Sequence, residues 1–197
     1  NFNKINLKNI NFKKIYLTAS GGPFLNRKFK NLKNVSFKEA TNHPKWKMGY
    51  KNSIDSATLV NKCLELIEAH YLFNIPLNKL DILIHPQSLV HSVIEGNNYV
   101  SKMVYFHNNM EIPLMNFLVN SYTLKLPSFK KFNLMQPLHL DFFHVSKETF
   151  PLYFYFQSLD KTNPCNLIKF NIGNEYAVDL FKQKKINYPE IMQIIKE

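Results

Sequence analysis

A chain of 197 residues, 45% hydrophobic and 14% aromatic, is long enough to bury a core as one large domain or two small ones, and its 17 Phe and 10 Tyr exclude disorder as the main state. No apolar run reaches the roughly 18 residues of a membrane-spanning helix, so a soluble protein without a membrane partner is expected. The formal charge of +11 attracts phosphates at long range, but of 25 basic residues only Arg27 is Arg, and Asn as abundant as Lys is what AT-rich codons produce, so nucleic acid is not the expected partner.

Residues 1–12, rich in Asn and Lys, read as a connection or a short helix. The β-branched and aromatic run at 14–20 reads as a strand stopped by Gly21-Gly22-Pro23. Residues 25–50 are polar, basic and without period, a loop whose Trp46 suggests function more than filler. Residues 55–73 form the strongest helix pattern of the chain. Strands are expected at 82–85, 89–95 and 99–107, the last two joined across Gly96-Asn97-Asn98, and a helix at 113–122. The pattern dissolves into Lys, Pro and Phe over 123–149, a linker composition. Helical segments follow at 152–159, 163–184 and 189–196, the second opening on Asn163-Pro164, an N-cap followed by Pro at the first helical position. The organisation is an α/β domain over 1–122, a linker over 123–149 and a small all-α C-terminal domain over 150–197.

On a helical wheel for 55–73, Leu59, Cys63, Leu66, Ile67, His70 and Phe73 share one face, while Thr58, Asn61, Lys62, Glu65 and Glu68 share the other. Asp55 and Ser56 stand at its start, where a side-chain oxygen caps and the dipole attracts an anion. An amide, an ammonium and carboxylates thus share one face, while the other face is core. A solvated face of an ordinary amphipathic helix, with His70 packed in the core and Glu68 in a salt bridge, is the alternative. Ser20 at a strand's end, followed by glycines that bare backbone N–H groups, suits a phosphate or phosphonate, with a tight turn as the alternative. His43 adds a donor able to reach the same anion.

Taken in order, Leu17-Thr18-Ala19-Ser20-Gly21-Gly22-Pro23-Phe24, His43-Pro44-Lys45-Trp46-Lys47-Met48-Gly49, Ile54–Glu65 and Leu83-Ile84-His85-Pro86-Gln87-Ser88 with His91-Ser92 resemble the 1-deoxy-D-xylulose 5-phosphate reductoisomerase family. Asn171-Ile172-Gly173-Asn174-Glu175 is similar to that family's Asn-Ala-Ala-Asn-Glu. The resemblance implies an α+β catalytic domain with a mixed sheet, followed by the helical domain. It also implies an NADPH-dependent enzyme of the non-mevalonate isoprenoid pathway, which rearranges a ketose phosphate and reduces the aldehyde intermediate to 2-C-methyl-D-erythritol 4-phosphate. By position it makes Ser20, His43, Ser56, Asn61 and Lys62 the substrate-binding set, with Glu65 a ligand of Mg²⁺ or Mn²⁺. Glu65, Lys62 and His43 are the catalytic candidates. Gly49 and Met48 resemble cofactor contacts, and Trp46 and Met48 belong to a flap. A homodimer is implied, and the hairpin's Val-, Tyr- and Phe-rich edge would need such a cover.

Several features depart from that pattern. The five glycines, at 21, 22, 49, 96 and 173, form no G-x-G-x-x-G, so the N-terminal Rossmann-like domain is expected to be missing from this chain. The family's Asp-Ser-Glu metal segment is absent as well. The first residue is Asn1, without a leader pattern, and the chain reads as part of something longer, inactive in isolation. Cys63 stands where the family has Gly and Glu111 where Arg is common, and the chain stops short of the usual last helix. Cys63 and Cys165 are too few for a disulfide framework, which points to a reducing compartment, the bacterial cytoplasm or a plastid-type organelle. A non-catalytic remnant that binds sugar phosphate, and a Lys-rich nucleic-acid module, are the competing readings.

Overall fold

A computed structural model describes residues 11–45, 48–121 and 138–197. Burial alternates along β2 (Leu80–Ile84), where Leu80, Ile82 and Ile84 face the core and Asp81 and Leu83 do not, as a strand with one face on a core requires. β1 (Phe12–Ala19) lies parallel to β2 on one side and antiparallel to β3 (Val90–Gly96) on the other, and β4 (Ser101–Tyr105) closes the row antiparallel to β3. The sheet is therefore mixed, in the order β2-β1-β3-β4. The expected turn joins β3 to β4, with the Gly96 N–H donating to the Val100 carbonyl at 3.0 Å.

The long β1–β2 connection carries the helices that matter for function. Two of its features correct the sequence reading. Residues 25–50 are not a plain loop: they hold a 3-10 turn at Phe29–Leu32, helix α1 (Phe37–Thr41) and the first residue of α2 (Tyr50–Thr58). Helices this short span too little sequence to show a period, but α1 is well terminated. Ser36 Oγ accepts from the Glu39 N–H while Glu39 accepts from the Ser36 N–H, a capping box.

The expected single helix over 55–73 is two helices. α2 ends at Thr58, Leu59 adopts φ 66° in the left-handed region, and α3 (Val60–Phe73) starts after it. At the break the Thr58 hydroxyl accepts from the Val60 N–H at 3.4 Å and donates to the Ile54 and Asp55 carbonyls at 3.2 Å. Thr58 is consequently buried and not on a solvated face, and Asp55 and Ser56 lie in the last turns of α2 and not at a helix start. α3 itself buries Val60, Cys63 and Leu66 at a spacing of three. Cys63 is thus accommodated as a small core side chain, with burial pushing its thiol pKa far up. His70 is half-buried and hydrogen-bonded to the Ile75 carbonyl at 2.7 Å, a packed histidine.

Beyond β4 come α4 (Glu111–Ser121), then α5 (Pro151–Ser158), α6 (Pro164–Lys182) and α7 (Glu190–Lys196). Asn163 caps α6 by accepting from the Cys165 N–H, with Pro164 at its first position. Residues 123–137 of the expected linker, together with 122 and the 1–10 segment, lie outside the described residues. Residues 138–149 return onto the sheet, where Phe143 and Ile84 exchange backbone hydrogen bonds of 2.9 Å. One apolar cluster runs from Ile15, Ile54 and Leu66 to Phe150, Phe156, Phe170 and Tyr188, so the C-terminal helices share a core with the sheet. Among the described residues no helix is long and apolar enough to cross a membrane.

Candidate anion and metal site

β1 ends at Ala19, and the chain turns through Gly21 at φ 87° and Gly22 at φ 62°, both in the left-handed region that glycine enters without strain. Gly22 is needed for a second reason: a Cβ there would lie 2.9 Å from the Ser56 carbonyl oxygen, so only glycine lets this turn rest on the end of α2. Ser20 holds the turn by accepting from the Gly22 N–H at 3.3 Å. His43 Nε2 lies 3.1 Å from Ser20 Oγ, while His43 Nδ1 accepts from the Lys45 N–H at 3.2 Å. An Nδ1 that accepts places the imidazole proton on Nε2, so His43 donates to Ser20. With both lone pairs of Ser20 Oγ engaged, its own proton is left to donate outward. Burial holds the His43 pKa below its usual value, which favours this neutral form.

On the opposite wall α3 presents one turn of polar side chains. Glu65 accepts from Asn61 Nδ2 and from Lys62 Nζ, each at 2.6 Å, through its two separate oxygens. Between the walls lies a cavity of about 440 Å³ lined by Ser20, Gly21, His43, Met48, Ser56, Asn61, Lys62 and Glu65. The fold thus brings together seven of the sequence candidates: Ser20, His43, Met48, Ser56, Asn61, Lys62 and Glu65. Gly49 stands at the N-cap of α2 and does not line the cavity, although among the described residues no atom beyond its chain neighbours lies within 4 Å of where a Cβ would sit. Trp46 lies outside the described residues.

Further residues line the cavity that sequence reasoning gave no role. Asn52 sits one turn before Ser56 on α2, and helical spacing would have found it had the helix been started at Tyr50. Ser88 and His91 come from the β2–β3 turn and the start of β3. Ser88 has φ 54°, and its buried hydroxyl has no partner among the described atoms. His91 stacks on Phe106 with ring centroids 3.7 Å apart, and burial lowers its pKa, with Lys62 and His85 adding to the effect. Asp55, next to Ser56, lies behind the wall, and burial raises its carboxyl pKa against the opposing pull of Lys51 and Asn174.

Two family models match the chain: the 1-deoxy-D-xylulose 5-phosphate reductoisomerase C-terminal domain over residues 2–73, and the DXP reductoisomerase C-terminal domain over residues 107–197. The chain belongs to the 1-deoxy-D-xylulose 5-phosphate reductoisomerase family. It is 39% identical to the reductoisomerase of Wolbachia pipientis and 42% identical to that of Acetivibrio thermocellus, in each case over 93% of this chain. These alignments cover 47% and 48% of the two enzymes, so the chain spans about half the length of the curated relatives it matches. A crystal structure of a reductoisomerase in complex with NADPH, fosmidomycin and magnesium superposes with a TM-score of 0.86 at 36% identity, covering 98% of this chain and 47% of that one. The reductoisomerase of Zymomonas mobilis in complex with NADPH superposes with a TM-score of 0.81 at 35% identity, covering 94% of this chain and 47% of that one. The mixed four-stranded sheet and the helices packed on it are thus a fold shared with this family.

Glu65 is the carboxylate in the cavity, and among the described residues no group of three His, Cys, Asp or Glu side chains gathers to hold a metal ion. A hard divalent ion takes about six oxygen ligands. The described residues therefore fit a contribution to a metal site and do not complete one.

Proposed function

We propose that this chain is the substrate-binding half of a reductoisomerase that converts 1-deoxy-D-xylulose 5-phosphate to 2-C-methyl-D-erythritol 4-phosphate, with NADPH and Mg²⁺ or Mn²⁺. One observation carries the proposal: residues far apart in the chain, Ser20 with His43 and Ser56 with Asn61, Lys62 and Glu65, converge on a single cavity. The Ser20 hydroxyl, the Gly21 backbone and Ser56 offer neutral donors, and Lys62 supplies the positive charge that a phosphate dianion requires. His43, neutral in the free site, orients Ser20.

A bound divalent cation would polarise the substrate's carbonyl as a Lewis acid, and NADPH would supply the hydride. Glu65 offers the cation one oxygen ligand, and among the described residues the flank at Gly49 leaves room for a cofactor to approach the start of α2. The remaining carboxylates and a glycine-rich nucleotide turn are not among these 197 residues, so the chain alone does not turn over. Measurable oxidation of NADPH by the isolated chain with substrate and metal would overturn that statement.

The binding reading is tested by titrating the chain with inorganic phosphate and methylphosphonate while following amide NMR shifts. Shifts should concentrate at Ser20, Gly21, Gly22, Ser56, Asn61 and Lys62, and Lys62→Met should weaken binding about tenfold, the value of one charge-assisted contact. Shifts confined to other surface lysines would overturn it.

We also propose that a second copy of the chain covers the β4 edge. All five residues of β4 are exposed, including Met103 and Val104, and an exposed apolar strand at the end of the sheet order invites pairing. Sedimentation should report a dimer that Val104→Lys dissociates, and a monomer at all concentrations would remove the idea.

A further inference from the structure

The cavity accounts for Ser56, Asn61, Lys62 and Glu65 but not for Asp55, a carboxylate only 1% exposed that the proposed chemistry does not use. A buried charge persists only when it is paired and hydrogen-bonded. Asp55 is held from both sides: Asn174 Nδ2 donates to Oδ1 at 2.9 Å, and Lys51 Nζ donates to Oδ2 at 2.8 Å. The bond from Asn174 joins residues 119 apart in the chain and links α2 to α6.

Asn174 stands in the apolar stripe of α6, among Leu167, Phe170, Ala177, Val178 and Phe181, where the neighbours on its own helix call for an aliphatic side chain. It is fully buried, and its Oδ1 has no partner among the described atoms. Half of this amide is thus left unsatisfied while the other half grips Asp55, an arrangement that core packing alone does not call for. What it holds in place is the end of α2. Ser56, the next residue, lines the cavity, and the helix breaks three residues later at Leu59. Being next to a break, this end has no continuous helix beyond it to set its rotation.

The segment joining α6 to α7 packs behind the other wall. Tyr188, fully buried, meets Phe24 edge-on at 5.2 Å between ring centroids, directly after the Gly21-Gly22 turn.

We propose that Asn174 is a positioning residue for the anion site: through Asp55 it sets the rotation of the last turn of α2, so that Ser56 faces the cavity. This inference rests on the phosphate-binding reading above.

The test uses the 197-residue chain with inorganic phosphate as probe, at a temperature where every variant compared is folded by circular dichroism. Asn174→Leu, which suits the apolar stripe, and Asp55→Asn should each weaken phosphate binding about tenfold, the scale of one hydrogen bond to a charged group. The exchanged pair, Asp55→Asn with Asn174→Asp, re-forms an amide–carboxylate bond in the reverse direction. It should restore binding to within about threefold, because the two sites are directly coupled. Hydrogen exchange is read in parallel without phosphate. Asn174→Leu should speed exchange at Ser56 and Ala57 about tenfold relative to β1.

Unchanged phosphate affinity in Asn174→Leu, or exchange that rises equally in β1 and α2, would overturn the proposal and leave Asn174 a general packing residue. A folded exchanged pair that fails to restore binding would overturn it too, including the case in which Asn174→Leu does not fold. If the unaltered chain binds no phosphate yet Asn174→Leu still loosens Ser56 and Ala57 selectively, the phosphate reading fails and the tether stands.

Discussion

The chemistry proposed for the cavity turns on the state of two side chains, His43 and Glu65. Because burial depresses the His43 pKa below 6.5, the unfolded chain takes up that proton more readily than the folded one. Its contribution to stability is therefore complete above pH 6.5 and is lost as the pH falls through that value towards the folded pKa. NMR titration of the His43 ring should give a midpoint below 6.5 in the free chain, rising when phosphate is bound, because an anion favours the imidazolium; a free midpoint at or above 6.5 would contradict the desolvated site. Glu65 engages both Asn61 and Lys62, the donors a phosphate would need. Without metal the carboxylate competes with the anion, so Glu65→Gln should tighten phosphate binding by about threefold to fivefold, the modest value of a part-exposed pair. Weaker binding in that variant, measured by calorimetry without divalent ions, would mean Glu65 supports the donors instead of competing for them.

Among the elements, the α2–Leu59–α3 break does most to shape the site. One straight helix would spread Ser56 and Asn61 along one axis. After the break, Asn61, Lys62 and Glu65 of α3 line the same cavity as Ser56. Seating the Gly21-Gly22 turn on the end of α2 closes the other side. Gly22→Ala adds a Cβ at 2.9 Å from a backbone oxygen in a residue already at φ 62°, and should cost about 2–3 kcal/mol by chemical denaturation, with loss of phosphate binding. The capping box on α1 works at one remove, since His43 follows that helix by two residues. Ser36→Ala should cost about 1 kcal/mol. A loss confined to stability, with phosphate affinity intact, would show that α1 does not transmit to His43.

At the scale of the whole molecule, the C-terminal helices belong to the same apolar cluster as the sheet. Phe150, Leu152 and Phe156 of the α5 region join Ile15, Leu66 and Ile84 in that cluster. Side-chain hydrogen bonds reinforce the contact, since Asp81 on β2 accepts from Lys14 on β1 and from Tyr153 on α5. We therefore expect residues 1–149 expressed alone to lose cooperative unfolding and to bind a hydrophobic dye, because the cut bares one side of the shared core. A sharp thermal transition from that truncated chain would instead make the two parts separate domains. Phe156→Ala, at a fully buried position, should destabilise the intact chain by about 3–5 kcal/mol.

Much of this was legible in the residues. The four strands, the hairpin across Gly96-Asn97-Asn98, the helix read at 152–159 and the one opening on Pro164 follow from composition, turn chemistry and capping, all of which act over a few neighbours. The cavity-lining side chains were legible too, because Ser20, His43, Ser56, Asn61, Lys62 and Glu65 carry polar chemistry at spacings that a resemblance could organise. The break at Leu59 was not, since a helical wheel assumes one axis and the Thr58 hydroxyl at the end of α2 could equally have bonded within a continuous helix. The Asp55–Asn174 bond was not legible either, because a contact between residues 119 apart depends on which helix faces lie together once the core has packed. Local periodicity and turn chemistry were enough to name the elements and the candidate side chains. Only the packed core determined which walls face each other across the cavity, because burial acts between segments regardless of their separation in the chain.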